Sequence, residues 1–464
     1  MSSNRLYRFG FLAIPVRALA EVPAVLDTWN LIRVDGWQLF IHPEASVTCV
    51  EDSAARSVVA VGDVFVAHGA TMLDDHLLSI ARGDRASTED LSGRFAVLVF
   101  ERGTITVLND PLGSQTVFYD AEGRAVGSHA ALVAEALGTG RSRSATRYMA
   151  TDEYKSRTTR FLPGDLSLFD GVRLLIPNNE VELPSARTRR YWPARPLEPT
   201  DVETTFGLWD EYFTNYAKFL EPRYNLVLGL TGGMDSRAVI ATLRAKGMRP
   251  RYETWDAMKE EERSRIPALV AHLQGPHRWI DMAYRSDAPE FREIREAAKS
   301  AAGFTRGTPL LPAQIARGAG QRDLFLYGHG SAVASGAYSR MAKPWLPEEP
   351  LQRAYTLYSG TARKNASPEY RDFTLQAFQE FFDHGNYHGE LHGADIGDLL
   401  YWEHRMANWA SLQIATFTVA LNSHAAFNSR RLFAAFWGLT DERRFTKGIH
   451  HEIMTRYDPI LAAL

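Results

Sequence analysis

Up to about residue 190 the chain alternates apolar and polar positions in short runs: LYRFGFLAI, WQLFIHP, SVTCVE, VVAVGDVFVAHG, RFAVLVFERGTITVLNDPLG and QTVFYDAEGRAVGS. A period of two marks half-buried strands, and the polar corners Glu101-Arg102-Gly103 and DAEG mark hairpin turns. One stretch, HAALVAEALG, has helical spacing and stops at Gly138, the residue type that most readily closes a helix. This part therefore predicts a sheet-dominated α+β unit whose first strand runs over residues 7–14.

YWPARPLEPT (191–200) carries three prolines in ten residues and reads as a linker. The pattern then changes. YNLVLGL, RYETW, HRWIDMA and DLFLYGHG read as strands, and RAVIATLRAKG, RIPALVAHLQG and PAQIARGAG between them carry helical spacing. Such alternation predicts a doubly wound parallel sheet with ligands at the carboxyl ends of its strands. From about residue 344 the stretches LQRAYTLYSG, FTLQAFQEFF, DIGDLLYWEHRMANWASLQ and SRRLFAAFWGL predict a helical C-terminal part. The expected organisation is two domains, 1–192 and 201–464, since 464 residues exceed what one core usually holds.

Composition narrows the partners. A net charge of −3 with dispersed Lys and Arg argues against a nucleic-acid ligand, and no apolar run reaches the 18 residues of a membrane span. FGFLAIPV is only eight residues long, holds Pro15 and is cut by Arg17, so it reads as a first strand rather than a signal peptide. A cytoplasmic protein is the expectation. The single cysteine, Cys49 in SVTCV, excludes an internal disulfide and is expected to be a buried strand residue. Nothing in the sequence sets the oligomeric state.

The chemistry concentrates in LVLGLTGGMDSR (226–237), a strand that breaks at Thr231-Gly232-Gly233 and restarts as a helix at Met234-Asp235-Ser236. Glycines allow several backbone N–H groups to face one anion, and the helix adds its positive end. The Thr231 and Ser236 hydroxyls suit phosphate oxygens, and Asp235 suits Mg²⁺. The string lacks the third glycine of the dinucleotide fingerprint and the Gly-Lys of the Walker loop. An ordinary glycine turn with a polar cap is the structural alternative.

TGGMDS resembles the SGGxDS pyrophosphate loop of N-type ATP pyrophosphatases, and with its flanks it resembles the asparagine synthetase and β-lactam synthetase family. The resemblance covers nearly the whole chain. DLSGRFAVLVFERGTITVLNDPLGSQTVFY and FLPGDLSLFDGVRLLIPNNEVELPSARTRRYWP are similar to that family's glutaminase domain, and YGHGSAVASGAY stands where the family has G-E-G-S-D-E-x-x-G-G-Y. The resemblance implies an α+β Ntn-hydrolase-like sandwich over 1–192 and an α/β doubly wound ATP pyrophosphatase-like synthetase domain over 201–464. It implies ATP and Mg²⁺, adenylation of a carboxylate with loss of pyrophosphate, and attack by an amine. By the same resemblance Thr231, Gly232, Gly233, Asp235, Ser236, Thr254, Gly328, Gly330 and Ser331 would hold the nucleotide, and Asp235 the metal.

Three departures shape the expected activity. Ser2 stands where the family's glutaminase has its nucleophilic cysteine, and Cys49 is internal without a free α-amine, so glutamine hydrolysis is not expected. Ala332 replaces the family's second Mg²⁺ carboxylate, and His329 replaces its glutamate. An imidazole titrating near neutrality would suit deprotonation of the attacking amine, with Glu403 in YWEHRMANW orienting it. An ion pair of Glu403 with Arg405 is the plainer alternative.

FTKGIHHEIM resembles the K-x-G-x-H-E stretch of β-lactam synthetase, which would set Lys447 against the α-phosphate. Adjacent His450 and His451 form no zinc motif. Arg237 is a candidate for a phosphate or a substrate carboxylate, Arg306 in GFTRGTPLLPAQ for a carboxylate, and KEEER (259–263) for a solvated helix start. The function so implied is an ATP-dependent ligase joining a small-molecule or peptide carboxylate to an amine, without glutamine. The alternative is a degenerate nucleotide-binding scaffold, which Ala332 favours.

Overall fold

The computed structural model describes residues 5–16, 23–52, 56–306, 311–446 and 448–464. Its first part holds two antiparallel six-stranded sheets. The first sheet contains β1 (Phe11–Pro15), β2 (Asn30–Val34) and β3 (Trp37–Ile41). The second begins with β4 (Val47–Asp52), β5 (Arg56–Val66), β6 (Leu91–Glu101) and β7 (Thr104–Asn109). Strands β8 (Phe118–Asp120), β9 (Val126–Gly127) and β10 (Val172–Leu174) return to the first sheet, whose order is β10-β8-β9-β1-β3-β2. Strands β11 (Asn179–Leu183) and β12 (Arg187–Arg190) complete the second, in the order β12-β11-β7-β6-β5-β4.

Alternation places the side chains as period two requires. Phe11, Ala13, Leu39 and Ile41 meet Val59, Val61, Ala96, Leu98 and Phe100 in an apolar layer between the sheets. Leu12 and Ile14, pointing the other way, pack with helix Ala130–Leu137. The outer residues of the second sheet, among them Val58, Ala60, Val97 and Val99, join a cluster that continues into the second half of the chain. The first strand starts at Phe11, later than its pattern predicts, because Tyr7 and Phe9 adopt left-handed turn conformations. Cys49 lies on β4, the edge of its sheet, and is exposed rather than buried.

The second half is built on a five-stranded sheet in which every pair is parallel. Its strands are β13 (Asn225–Gly229), β14 (Arg251–Trp255), β15 (His277–Ile280), β16 (Asp323–Tyr327) and β17 (Asn422–Ala425), in the order β15-β14-β13-β16-β17. The run DLFLY is wholly buried, as a central strand covered on both faces must be. The order reverses between β13 and β16, and open α/β sheets bind ligands at the carboxyl side of such a switch point. A helical insert, including Pro350–Ser359, Pro368–His384 and a π-helical stretch Leu400–Ala410, separates β16 from β17.

The halves are fastened by buried polar contacts. Asp63 on β5 meets His424 on β17 at 3.0 Å, and Asn428 donates to Asp110 at 2.7 Å. The Trp402 indole donates to the Pro111 carbonyl at 2.6 Å. No helix among the described residues is long and apolar enough to cross a membrane.

Candidate active site

Strand β13 ends at Gly229 and, after the four loop residues 230–233, Met234 opens the helix Met234–Ala245. The loop between them is held by its own hydroxyls. The Gly233 amide donates to Thr231 Oγ1 at 3.2 Å, Thr231 Oγ1 lies 2.9 Å from Ser236 Oγ, and Ser236 Oγ donates to the Gly233 carbonyl at 3.2 Å. Gly233 is exposed, and Thr231, Gly232, Asp235 and Ser236 are half-buried, so the loop presents a solvent-facing surface. First-turn amides have no partners within a helix, which makes this corner an anion cradle in the general sense. Asp235 stands in that first turn.

The second loop leaves the neighbouring strand β16 and closes against the first. A Cβ added at Gly328 would lie 3.3 Å from both the backbone N and the Cα of Ser236. Gly330, at φ +102°, could carry a side chain only by overlapping the Phe427 carbonyl oxygen. The buried Ser331 hydroxyl turns back to the Gly328 carbonyl at 3.3 Å. Both loops thus share the switch point of the sheet.

The donor set fits one hard cation rather than two. Asp235 supplies a carboxylate, while Ala332 supplies nothing, and no cluster of three His, Cys, Asp or Glu able to hold a metal exists among the described residues. Mg²⁺ commonly binds through one or two carboxylates, phosphates and retained waters.

His329 lies between aromatic rings, stacked on Tyr327 with centroids 4.9 Å apart and tilted to Trp409 at 5.3 Å. Its Nε2 is buried without a hydrogen-bond partner. Burial lowers its pKa to about 4; Asp235 opposes the shift, and Arg306 and Arg405 reinforce it. The expected near-neutral base is therefore a neutral imidazole of weak basicity.

Several other expectations are corrected by the contacts. Glu403 does not orient His329, nor does it pair with Arg405. Its two oxygens take Arg190 at 2.6 and 2.7 Å, Asn178 at 2.9 Å and Tyr387 at 2.7 Å, all in the interior. Thr254 is fully buried under the loop, donating to the Leu230 carbonyl at 3.0 Å with His277 on its hydroxyl, so it supports the loop instead of facing a ligand. Arg237 is buried and donates to the Leu461 carbonyl at 3.0 Å and to Gly233, tying the C-terminal helix to the loop. Lys447 and Ser2 lie outside the described residues. The KEEER start is exposed, as its charge pattern implies.

Three residues missed from the sequence complete the site. On the stretch Leu400–Ala410, Tyr401, Arg405 and Trp409 are the half-buried positions, and the residues between them are buried. The Arg405 guanidinium sits 4.7 Å over the Trp409 ring, and Tyr401 meets the edge of Tyr338 at 5.0 Å. Burial raises the Tyr401 pKa to about 12, with Arg405, which hydrogen-bonds it, pulling the other way. Arg306 donates to the Trp409 carbonyl, and burial lowers its pKa to about 10. The spacing Tyr401, Arg405, Trp409 was a readable signal, four residues apart on one face. A 320 Å³ cleft along the 192–200 linker and a 470 Å³ cleft beside Arg189 share no lining residue with these loops.

No known protein family matches the chain, and none of the curated proteins does. Among solved structures it is similar to glutamine phosphoribosylpyrophosphate amidotransferase from B. subtilis complexed with ADP and GMP, at 9% identity over 71% of this chain and 72% of that one, TM-score 0.23. NMN synthetase from Francisella tularensis matches at 10% identity over 44% and 94%, TM-score 0.20. NAD+ synthetase from Burkholderia pseudomallei matches at 15% identity over 47% and 88%, TM-score 0.19. At these scores the functional reading rests on the site's own residues.

Proposed function

We propose that the chain is an ATP-dependent amide-forming ligase of the asparagine synthetase-like kind, which adenylates a carboxylate, releases pyrophosphate and passes the acyl group to an amine. The observation that carries this reading is the meeting of the TGGMDS and GHGS loops at the switch point, Gly328 against Ser236. Loop amides and the Thr231 and Ser236 hydroxyls would hold the phosphates, and Asp235 would hold Mg²⁺, which neutralises charge on the departing pyrophosphate. His329, neutral at pH 7, would accept a hydrogen bond from the incoming amine at its unpartnered Nε2. Phosphate charge nearby raises the basicity of such a group. The N-terminal sandwich is then an Ntn-type glutaminase-like unit that performs no hydrolysis. The substrate is a small-molecule or peptide carboxylate and amine, in the cytoplasm, with neither nucleic acid nor membrane as partner.

The test is ATP–pyrophosphate exchange across a panel of carboxylates with Mg²⁺. Exchange that needs one particular acid supports the ligase. Ala332 favours a second reading, a nucleotide-binding scaffold without chemistry. ATP binding with no exchange for any acid selects that one.

A further inference from the structure

Arg405 and Arg306 have no acidic partner within ion-pair distance among the described residues, whereas Arg190 pairs with Glu403 and Arg444 with Asp398. Arg94, Arg237 and Arg430, buried without an acid, instead donate to carbonyls or neutral side chains in the interior. Both converge on Trp409: Arg405 over its ring, Arg306 on its carbonyl. Trp409 in turn packs against His329, so the two cations flank the loop that carries Ala332. The Arg306 Nε is buried and unpartnered. Uncompensated guanidinium groups at a half-buried site are costly unless an anion completes them.

Resting on the nucleotide-binding reading above, we propose that Arg405, seated on Trp409 and backed by Arg306, is the second positive charge facing the nucleotide's phosphates. It takes the place of the second divalent cation that Ala332 cannot hold. A guanidinium suits this task because it stays charged and forks onto two phosphate oxygens. The Trp409 face orients it without neutralising it. The site therefore binds its nucleotide with one Mg²⁺, on Asp235.

The probe is calorimetric titration of the intact chain with the ATP analogue AMP-PNP and with adenosine, no carboxylate being present so that the α–β bond is not cleaved, across a Mg²⁺ series. Arg405→Gln is expected to weaken AMP-PNP by about tenfold while adenosine binds as before, and Arg405→Lys to retain most of the affinity. Mg²⁺ dependence in the unsubstituted protein is expected to follow a single-ion curve. AMP-PNP affinity within twofold of the parent in Arg405→Gln, or a two-ion Mg²⁺ dependence, overturns the arginine assignment and leaves the nucleotide site standing. An unsubstituted chain that binds no AMP-PNP removes the nucleotide reading itself. Adenosine binding and thermal midpoint show that each variant is folded.

Discussion

Arg190 at the end of β12 grips Glu403 on the π-helical stretch through both carboxylate oxygens, with the two side chains almost wholly out of water. Removing one member of such a pair strands the other charge. Glu403→Ala is therefore expected to lower unfolding stability by about 3–5 kcal/mol, read from the urea midpoint. The folded fraction should still bind nucleotide with parental affinity. A selective loss of binding without destabilisation would return Glu403 to the chemistry.

Asp235 is the one carboxylate of the two loops, so Asp235→Asn should reduce pyrophosphate exchange by about 10²–10³-fold, with a thermal midpoint near the parent's. Unchanged exchange would remove it from the metal assignment.

Gly330 is left-handed and faces the Phe427 carbonyl. Gly330→Ala is expected to cost about 1–3 kcal/mol and to weaken AMP-PNP binding, because the loop must shift away from the Phe427 carbonyl to make room and Gly328, two residues earlier, is seated against Ser236. Thr254→Val, by contrast, loses a hydrogen bond worth about 1 kcal/mol and should leave nucleotide contacts intact; a thermal melt paired with the titration separates the two.

Acid sensitivity follows from three histidines. His129 and His404, whose pKa values burial lowers to about 3, join His329 at about 4. A histidine with a folded pKa below its unfolded value of about 6.5 contributes stability above that pH and loses it as pH falls toward the folded pKa, on the order of 3 kcal/mol each. Asp398, raised to about 7 by burial despite Arg444, runs the other way, its contribution fading as pH rises from about 4 to 7. His68, His76 and His277, also lowered by burial, add to these histidines, and His384, raised by its Asp165 partner, adds to Asp398. The lowered histidines are the larger set, so the urea midpoint should drop between pH 7 and 4. His404 lies among the Phe161, Tyr358, Phe378 and Phe381 rings with Nε2 unpartnered. His404→Phe should flatten that slope; a slope equal to the parent's would show that His404 is not one of its sources.

Hydrophobic period made the sheets and the first glycine loop legible, because strand burial and turn chemistry are local. Strand β17 was not: NSHA is four residues, polar on paper, and buried only because β16 and the first half cover it. Glu403, Thr254 and Arg237 carry no local mark of their true partners, which lie at residues 190, 230 and 461. His329 looked like a base because residue type reports an ordinary pKa, whereas its burial arises from Tyr327 and Trp409.

Along the long pair β5 and β6, Gly62 and Gly93 each face the opposing backbone with positive φ. On one side of these glycines Val59, Val61, Ala96 and Leu98 fill the sandwich; on the other, Phe65 stacks on Tyr216 of the second half, centroids 4.9 Å apart. One hairpin therefore serves as a girder common to two cores. Melting of either half withdraws it from the other, so calorimetry should register a single endotherm, and proteolysis should release no long-lived half.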